Sequence, residues 1–300
     1  MSNLSEKKNV AFWSVIAAVF ITAFKLVIGL LSGSLGILSE ALHSGLDMIA
    51  AIITYFSVRV SDKPADREHN YGHGKVENLS ALIETVLLLV TCVWIIYEAV
   101  HRLTTGKTEI EVSVWSYVVV ISSIIIDYTR SRALSRMAVK HNSQALEADA
   151  LHFSTDIWSS TVVLFGLIAY QFLGWKNADS IAALFVAVIV LYVSYQLGRK
   201  AIDVLLDKSP SNTKEIVREV LKEFPEALRF HHLKARTAGA DTFIKFNVHF
   251  NPDLSLREVH EVCDKMEIRI KAKIPRSEVY IHAEPEDISH IDTEQDEDII

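Results

Sequence analysis

Six apolar stretches of this chain are each long enough to cross a lipid bilayer, and this feature limits the fold more than any other. A helix needs about 20 residues to cross a hydrocarbon core, which is about 30 Å thick. Half of the 300 residues are hydrophobic. The stretches are residues 10–31, 35–58, 79–101, 112–129, 149–172 and 179–206. We therefore predict an α-helical membrane protein with six transmembrane helices.

The loops between these spans differ in their positive charge. If the spans alternate in direction, twelve lysine and arginine residues fall on one side of the membrane and three on the other. The three are Arg102, Lys107 and Lys176. Because cytoplasmic loops are enriched in lysine and arginine, both termini are predicted to lie in the cytoplasm.

The composition changes at Ser209 to that of a small soluble domain. A helical segment, two strands separated by Gly239, a second helical segment and a last strand predict the order α-β-β-α-β. This order is typical of an α+β domain with helices on one face of its sheet. We expect a transmembrane domain over residues 1–208, a cytoplasmic domain over residues 209–285 and an acidic, disordered tail over residues 286–300.

The charge and the cysteine content argue against two kinds of function. The net charge is −7 and the chain has no basic stripe, so we expect no nucleic-acid partner. Cys92 and Cys263 are the only cysteines, and they lie in different predicted domains. Neither a structural disulfide nor a thiolate metal site is therefore expected.

Two of the apolar stretches each contain a histidine and an aspartate four residues apart. The pairs are His43 with Asp47 and His152 with Asp156. This spacing places both side chains of a pair on one face of a helix. Ionisable side chains in hydrocarbon are costly and usually line a pathway or bind a ligand. Two imidazoles and two carboxylates supply four ligands for a divalent metal ion, so we predict an intramembrane metal site and metal transport.

The ligand types favour one metal and one coupling ion. Nitrogen and oxygen ligands in tetrahedral number favour Zn²⁺, with Fe²⁺, Co²⁺, Cd²⁺ and Mn²⁺ as alternatives. Histidine and aspartate bind metal only when they are deprotonated, so protons compete with the metal for the same atoms. Because an imidazole ordinarily titrates at a pH of about 6.5, we hypothesise an exchange of protons for metal.

Two further groups of residues outside the predicted spans have the composition of metal sites. The loop after the second span contains Asp66, His69 and His73, which are spaced as three ligands of one ion. The C-terminal domain has candidates on separate strands and on a helix. These candidates are His231, His249, His260, His282 and Glu284.

Four long motifs occur in order along the chain. They are GSLGILSEALHSGLD, PADREHNYGHGKVEN, EADALHFSTDIWSS and the stretch from HHLKART to YIHAEP. Over about residues 10–285 the chain resembles the cation diffusion facilitator family, and in particular its bacterial zinc and iron exporters. The resemblance implies a homodimer in the lipid bilayer of the inner membrane. It also implies export of divalent metal from the cytoplasm in exchange for protons, by alternating access.

The resemblance also implies roles for individual residues. It places the intramembrane site on the two His–Asp pairs and the loop site on Asp66, His69 and His73. It implies a metallochaperone-like cytoplasmic domain that dimerises and binds metal. The matching ligand positions are His231, His260, His282 and Glu284, and the matching opposite charges that hold the dimer together are Lys75 and Asp207.

Two positions depart from the pattern of the family. His43 stands where close bacterial relatives often have aspartate, and histidine there resembles the zinc-selective branch. Asn247 stands at a histidine position of the family, and His249 follows two residues later on the same strand face. We therefore predict that the cytoplasmic-domain site is incomplete, shifted or weaker.

Two other classes of protein would use similar ligands. A membrane metal sensor would bind metal without transporting it. An intramembrane metallohydrolase would need an open coordination position and a general base, and the chain has no H-E-x-x-H motif. We expect a transporter and not an enzyme, with Zn²⁺ as its substrate and as a regulatory ligand of the cytoplasmic domain.

Overall fold

Six long helices succeed one another in the first part of the chain, as the apolar stretches predict. A computed structural model gives this structure and describes residues 2–32, 35–105, 114–173, 178–286 and 298–299. The helices are α1 (Ser2–Ser32), α2 (Leu35–Ser61), α3 (Lys75–Thr105), α4 (Val114–His141), α5 (Gln144–Leu173) and α6 (Ala178–Leu205). The first two residues of the predicted fourth span, 112 and 113, lie outside the described residues.

Length and hydropathy identify four of these helices as candidate membrane spans. Within the described ranges, four segments are long and apolar enough to cross a membrane, namely Glu6–Leu31, Ala41–Ser61, Lys75–Thr105 and Ala183–Leu205. Helices α4 and α5 have 28 and 30 residues and are therefore also long enough to cross a bilayer. Asp127 and Arg130 of α4 and Asp149 of α5 are buried. Because these charges lie inside the helical domain and not on its surface, they are compatible with two further spans.

The surface and the interior of the helical domain have opposite characters. Large apolar side chains such as Phe20, Trp94 and Phe185 are exposed, which suits a lipid environment. The interior contains small side chains, including Ala18, Ala51 and others of α1, α2, α4 and α5. Small residues let helix backbones approach closely in a membrane. The fold is therefore that of a helical transmembrane domain.

The C-terminal domain has the predicted order α-β-β-α-β. Its elements are α7 (Thr213–Leu221), β1 (Ala227–Ala238), β2 (Asp241–Phe250), α8 (Leu256–Lys273) and β3 (Ser277–Pro285). Strand β2 pairs with β1 antiparallel and with β3 parallel. Apolar side chains such as Ile244, Phe246 and Val248 form a core with α7 and α8. Alternate residues of the strands therefore lie on the opposite face of the sheet, and this face carries the polar side chains.

The acidic tail lies mostly outside the described ranges. Glu286 is described, and Asp298–Ile299 forms a short strand, β4, that pairs antiparallel with Arg229 and Phe230 of β1. The sheet order is β3-β2-β1-β4. The chain divides into two compact units at 202/203, and we describe each unit by itself.

Candidate metal centres

The two His–Asp pairs of the membrane domain form one cluster where α2 and α5 meet. His152 Nε2 lies 3.0 Å from Asp47 Oδ1 and 3.6 Å from Asp156 Oδ2. His43 Nε2 lies 3.9 Å from Asp47 Oδ1 and 3.7 Å from Asp156 Oδ1. Each imidazole therefore contacts a carboxylate of its own helix and one of the other helix. Ligand atoms of His43, Asp47 and Asp156 lie within 4.8 Å of one another, and His152 contacts the two aspartates of this group.

Three of the four side chains in this cluster are largely shielded, whereas the His43 side chain is 31% exposed. The His152 side chain is 2% exposed, and those of Asp47 and Asp156 are each 12% exposed. A nearby buried ammonium, that of Lys25, donates a hydrogen bond to Ser44 Oγ at 2.8 Å. With both imidazoles neutral, the two carboxylates carry two negative charges in a medium of low dielectric constant. A divalent cation would neutralise them.

The loop between α2 and α3 brings its three predicted ligands together. Asp66 Oδ1 lies 3.4 Å from His69 Nδ1, and Asp66 Oδ2 lies 3.5 Å from His73 Nε2. Gly72, with φ of 75°, makes the turn that leads into His73. The backbone N–H groups of His69 and Glu68 donate to Asp66 and lower the pKa of its carboxyl. Asp66 thus keeps its negative charge at neutral pH, as metal binding requires.

The polar face of the C-terminal sheet carries a third group, formed by His231, His249 and Glu284. His249 Nε2 lies 3.2 Å from His231 Nδ1 and 3.4 Å from Glu284 Oε2. The strand register pairs His231 with Asn247 and His249 with Glu284, so three adjacent strands contribute to one group. In all three groups, the potential ligand atoms lie within 4.8 Å of one another for at least three residues.

The remaining predicted residues of this domain lie outside the central group. His260 lies on α8 with an exposed side chain, and its nearest acidic partner is Asp264 at 3.7 Å. His282 is also exposed, and its Nε2 atom lies 3.5 Å from Glu284 Oε1. Asn247 occupies the centre instead, since its amide donates to Glu284 Oε1 at 2.7 Å and lies 3.3 Å from His231 Nε2.

The structure adds residues that the sequence did not single out. Glu286 Oε2 lies 3.3 Å from His249 Nδ1 and accepts a hydrogen bond from Arg229 Nε at 3.2 Å. Asp149 is buried one helical turn before His152. Its position within EADALH was a usable signal, because acidic residues are costly inside a membrane. The position of Glu286 depends on strand register and had no such signal.

The fold defines the class of the molecule as a multi-pass helical membrane protein with a C-terminal α+β domain. Residues 11–206 match the family model of the cation efflux transmembrane domain. Residues 210–286 match that of the cation efflux protein, cytoplasmic domain. The chain therefore belongs to the cation diffusion facilitator family, and the resemblance of its motifs is confirmed. It is a cation-efflux transporter of divalent metals.

Relatives align over both domains. A cation-efflux pump FieF from Shewanella oneidensis is 32% identical in an alignment of 290 positions that covers 94% of this chain and 97% of that protein. The magnetosome protein MamB from Magnetospira sp. is 29% identical over 269 residues, which are 89% of this chain and 91% of that protein. The metal-bound C-terminal domain of the CzcD transporter from Thermotoga maritima aligns with 25% identity and a TM-score of 0.24. That alignment covers 25% of this chain and 87% of that structure.

Proposed function

We propose that the protein exports Zn²⁺ from the cytoplasm in exchange for protons, by alternating access. It would lie in the inner membrane with both termini in the cytoplasm, which the lysine and arginine content of the loops supports. The observation that carries the proposal is the convergence of two imidazoles and two carboxylates from α2 and α5, with His152 Nε2 3.0 Å from Asp47 Oδ1. Four nitrogen and oxygen ligands are the number and type that Zn²⁺ prefers.

The contact between His152 and Asp47 supports protons as the counter-ion. When His152 is an imidazolium, its Nδ1 and Nε2 atoms both carry hydrogen, and the Nε2–H donates to the Asp47 carboxylate. Zn²⁺ binds the lone pair of a deprotonated nitrogen, so its arrival removes this proton. A proton that arrives from outside restores the contact with Asp47 and displaces the metal. Each ion thereby expels the other from the same atoms.

The ligand set also supports the choice of metal and argues against enzymatic activity. His43 makes half of the set imidazole, whereas Mn²⁺ is better suited by carboxylate and carbonyl oxygens. Fe²⁺, Co²⁺ and Cd²⁺ are the alternatives that the test must separate from zinc. Four protein ligands leave no open coordination position for a substrate that would be hydrolysed, so we propose no enzymatic role.

We propose supporting roles for the other two groups. Asp66, His69 and His73 would hold a metal ion at the surface of the membrane domain. His231, His249 and Glu284 would bind regulatory metal in a homodimer, with His260 and His282 as outer contributors. Their exposure supports a weaker contribution, since water competes at both positions.

Metal uptake into proteoliposomes that contain an internal reporter tests the proposal. Zn²⁺, Fe²⁺, Mn²⁺, Co²⁺ and Cd²⁺ are offered in parallel, with and without a pH gradient. We expect zinc flux that requires the gradient and falls at least about 100-fold in Asp156→Ala, because the loss of a direct ligand exceeds the usual effect of an outer one. Ser194→Ala changes a buried polar side chain of α6 and is the matched control.

The other outcomes of this experiment are equally informative. If a different metal were transported instead of zinc, that metal would be the substrate. Zinc flux that does not depend on the pH gradient would contradict the exchange of protons for zinc. If folded and inserted protein transported no metal, the membrane sensor would become the better interpretation.

A further inference from the structure

Glu84 of α3 and Asp149 of α5 are buried carboxylates that belong to none of the three groups. Both residues are 0% exposed. Ala81 and Leu88, on the same face of α3 as Glu84, share a packing cluster with Ala148 of α5. The negative charges of the two carboxylates would repel each other in this interior. The interior of the membrane domain thus contains a second acidic pair.

Each of these carboxylates has one anchored oxygen. Oε1 of Glu84 accepts hydrogen bonds from Thr54 and, at 3.3 Å, from Ser80. Oδ2 of Asp149 accepts one from Ser14 at 3.4 Å. Oε2 of Glu84 and Oδ1 of Asp149 are buried and accept no hydrogen bond from the described residues. An oriented carboxylate with a free, desolvated oxygen is suited to bind a cation.

The neighbouring positive charge compensates the pair only in part. A protonated His152 would interact electrostatically with both Asp149 and Glu84, and Arg130 interacts with Asp149. Its guanidinium, however, donates to Asp127 at 3.4 Å and to Ser14 at 3.1 Å, and lies 3.5 Å from the ring centroid of Phe153. One positive charge is therefore shared between two aspartates, and Glu84 adds a third carboxylate to the same region.

The position of the pair suggests what it binds. Asp149 precedes His152 by three residues, which is about 4.5 Å along α5. Thr54, which donates a hydrogen bond to Glu84, follows Asp47 by seven residues. This separation is about 10 Å along α2. Both displacements lead toward the helix ends that face the cytoplasm in the proposed orientation. A cation that moves from the cytoplasm to the His–Asp cluster would meet this pair first.

We propose that Glu84 and Asp149 form a second intramembrane binding station, which takes the transported divalent cation through oxygen ligands before it reaches the His–Asp cluster. The direction of movement rests on the proposed function, whereas the binding itself does not. Oxygen ligands hold a zinc-like ion less tightly than a mixed set of imidazoles and carboxylates. Weak binding suits this role, because the ion must leave again.

Infrared difference spectroscopy of the full-length protein in lipid tests the binding, with Zn²⁺ alone as the probe. Coordination changes the stretching bands of a carboxylate. We expect Zn²⁺-induced bands that Glu84→Gln and Asp149→Asn each remove, and that persist in Asp156→Ala. Cys92→Ala, also on α3 and buried against α6, should leave them unchanged. If neither variant altered the Zn²⁺-induced bands, the proposal would be overturned, whether or not the wild type transports metal.

Transport kinetics test the role of the station. Glu84→Gln and Asp149→Asn should each raise the KM for zinc about three- to tenfold and change the maximal rate less than about twofold. Zn²⁺ affinity of the His–Asp cluster should stay unchanged. If the affinity of the His–Asp cluster fell by as much as the KM rises, the two carboxylates would have a structural role and the proposal would be overturned. Glu84→Gln and Asp149→Asn each test the proposal independently. If one variant does not fold, the other still tests it.

Discussion

The clusters in the membrane domain and in the C-terminal sheet use the same ligand types but are assembled in different ways. In the membrane, the spacing of four residues aligns each His–Asp pair before the helices meet, and one helix contact completes the set. In the sheet, His231, His249 and Glu284 come from three strands and meet only through their register. The first arrangement is largely local in sequence, and the second is entirely tertiary.

The two clusters also differ in charge and in competing hydrogen bonds. The membrane cluster has two carboxylates in a low-dielectric interior, so its need for a cation is strong. The sheet cluster has one carboxylate in its central group, and the Asn247 amide donates to this carboxylate. Metal must displace that bond before it binds. We therefore expect the same ligand types to bind a cation more strongly in the membrane than in the sheet.

The largest expected effect comes from removing one negative charge, and the same change in each cluster shows how the two differ. Asp47→Asn keeps the side-chain shape and should lower zinc flux at least about 100-fold, because an amide nitrogen replaces a ligand in a buried site. Glu284→Gln is the matched change in the sheet and should alter saturating flux less than about twofold. Uptake into proteoliposomes measures both. Equal losses in the two variants would show that the sheet cluster is part of the transport path.

An intermediate effect is expected when the sheet cluster gains a ligand. Asn247→His removes the competing amide and adds an imidazole between His231 and Glu284, so zinc affinity of this cluster should rise about tenfold. Calorimetry of the full-length protein in the Asp156→Ala background measures the change. Lys245→His, two residues away on an exposed position of the same strand, is the control. An unchanged affinity would mean that Asn247 does not limit this site.

The smallest expected effect is on the stability of the C-terminal domain, at a position that belongs to neither metal cluster. Ser255 and Glu258 form a reciprocal capping box at the start of α8. Ser255→Ala should lower the free energy of unfolding of the C-terminal domain by about 1 kcal/mol. Denaturant unfolding measures the loss, and zinc flux should not change. Reduced flux would indicate that the stability of this domain controls the membrane domain.

This capping box has a defined pH dependence. The hydrogen bond from the Ser255 side chain lowers the pKa of Glu258, so its folded-state pKa lies below the unfolded one. The resulting stabilisation is present above the unfolded pKa and is lost as the pH falls through the folded pKa. Ser255→Ala should therefore reduce the loss of stability at acidic pH. The same unfolding measurement, repeated at neutral and acidic pH, checks the sign.

Local patterns in the sequence determined the helices, the α-β-β-α-β order and the placement of His43 with Asp47 and of His152 with Asp156. They did so because helical and strand periodicity relate residues that are close along the chain. The family motifs added the class of transporter. Local patterns do not indicate a role for Glu84, since its environment depends on which residues of α5 and α2 lie opposite it.

Tertiary structure alone decided which distant residues meet. It brought His152 to Asp47 across two helices, placed His249 rather than His260 beside His231, and joined Thr54 of α2 to Glu84 of α3. These contacts follow from helix packing and strand register, in which a shift of one residue turns a side chain to another face. Sequence periodicity predicts which face of a helix or strand a residue occupies, whereas packing in three dimensions determines which residues that face contacts.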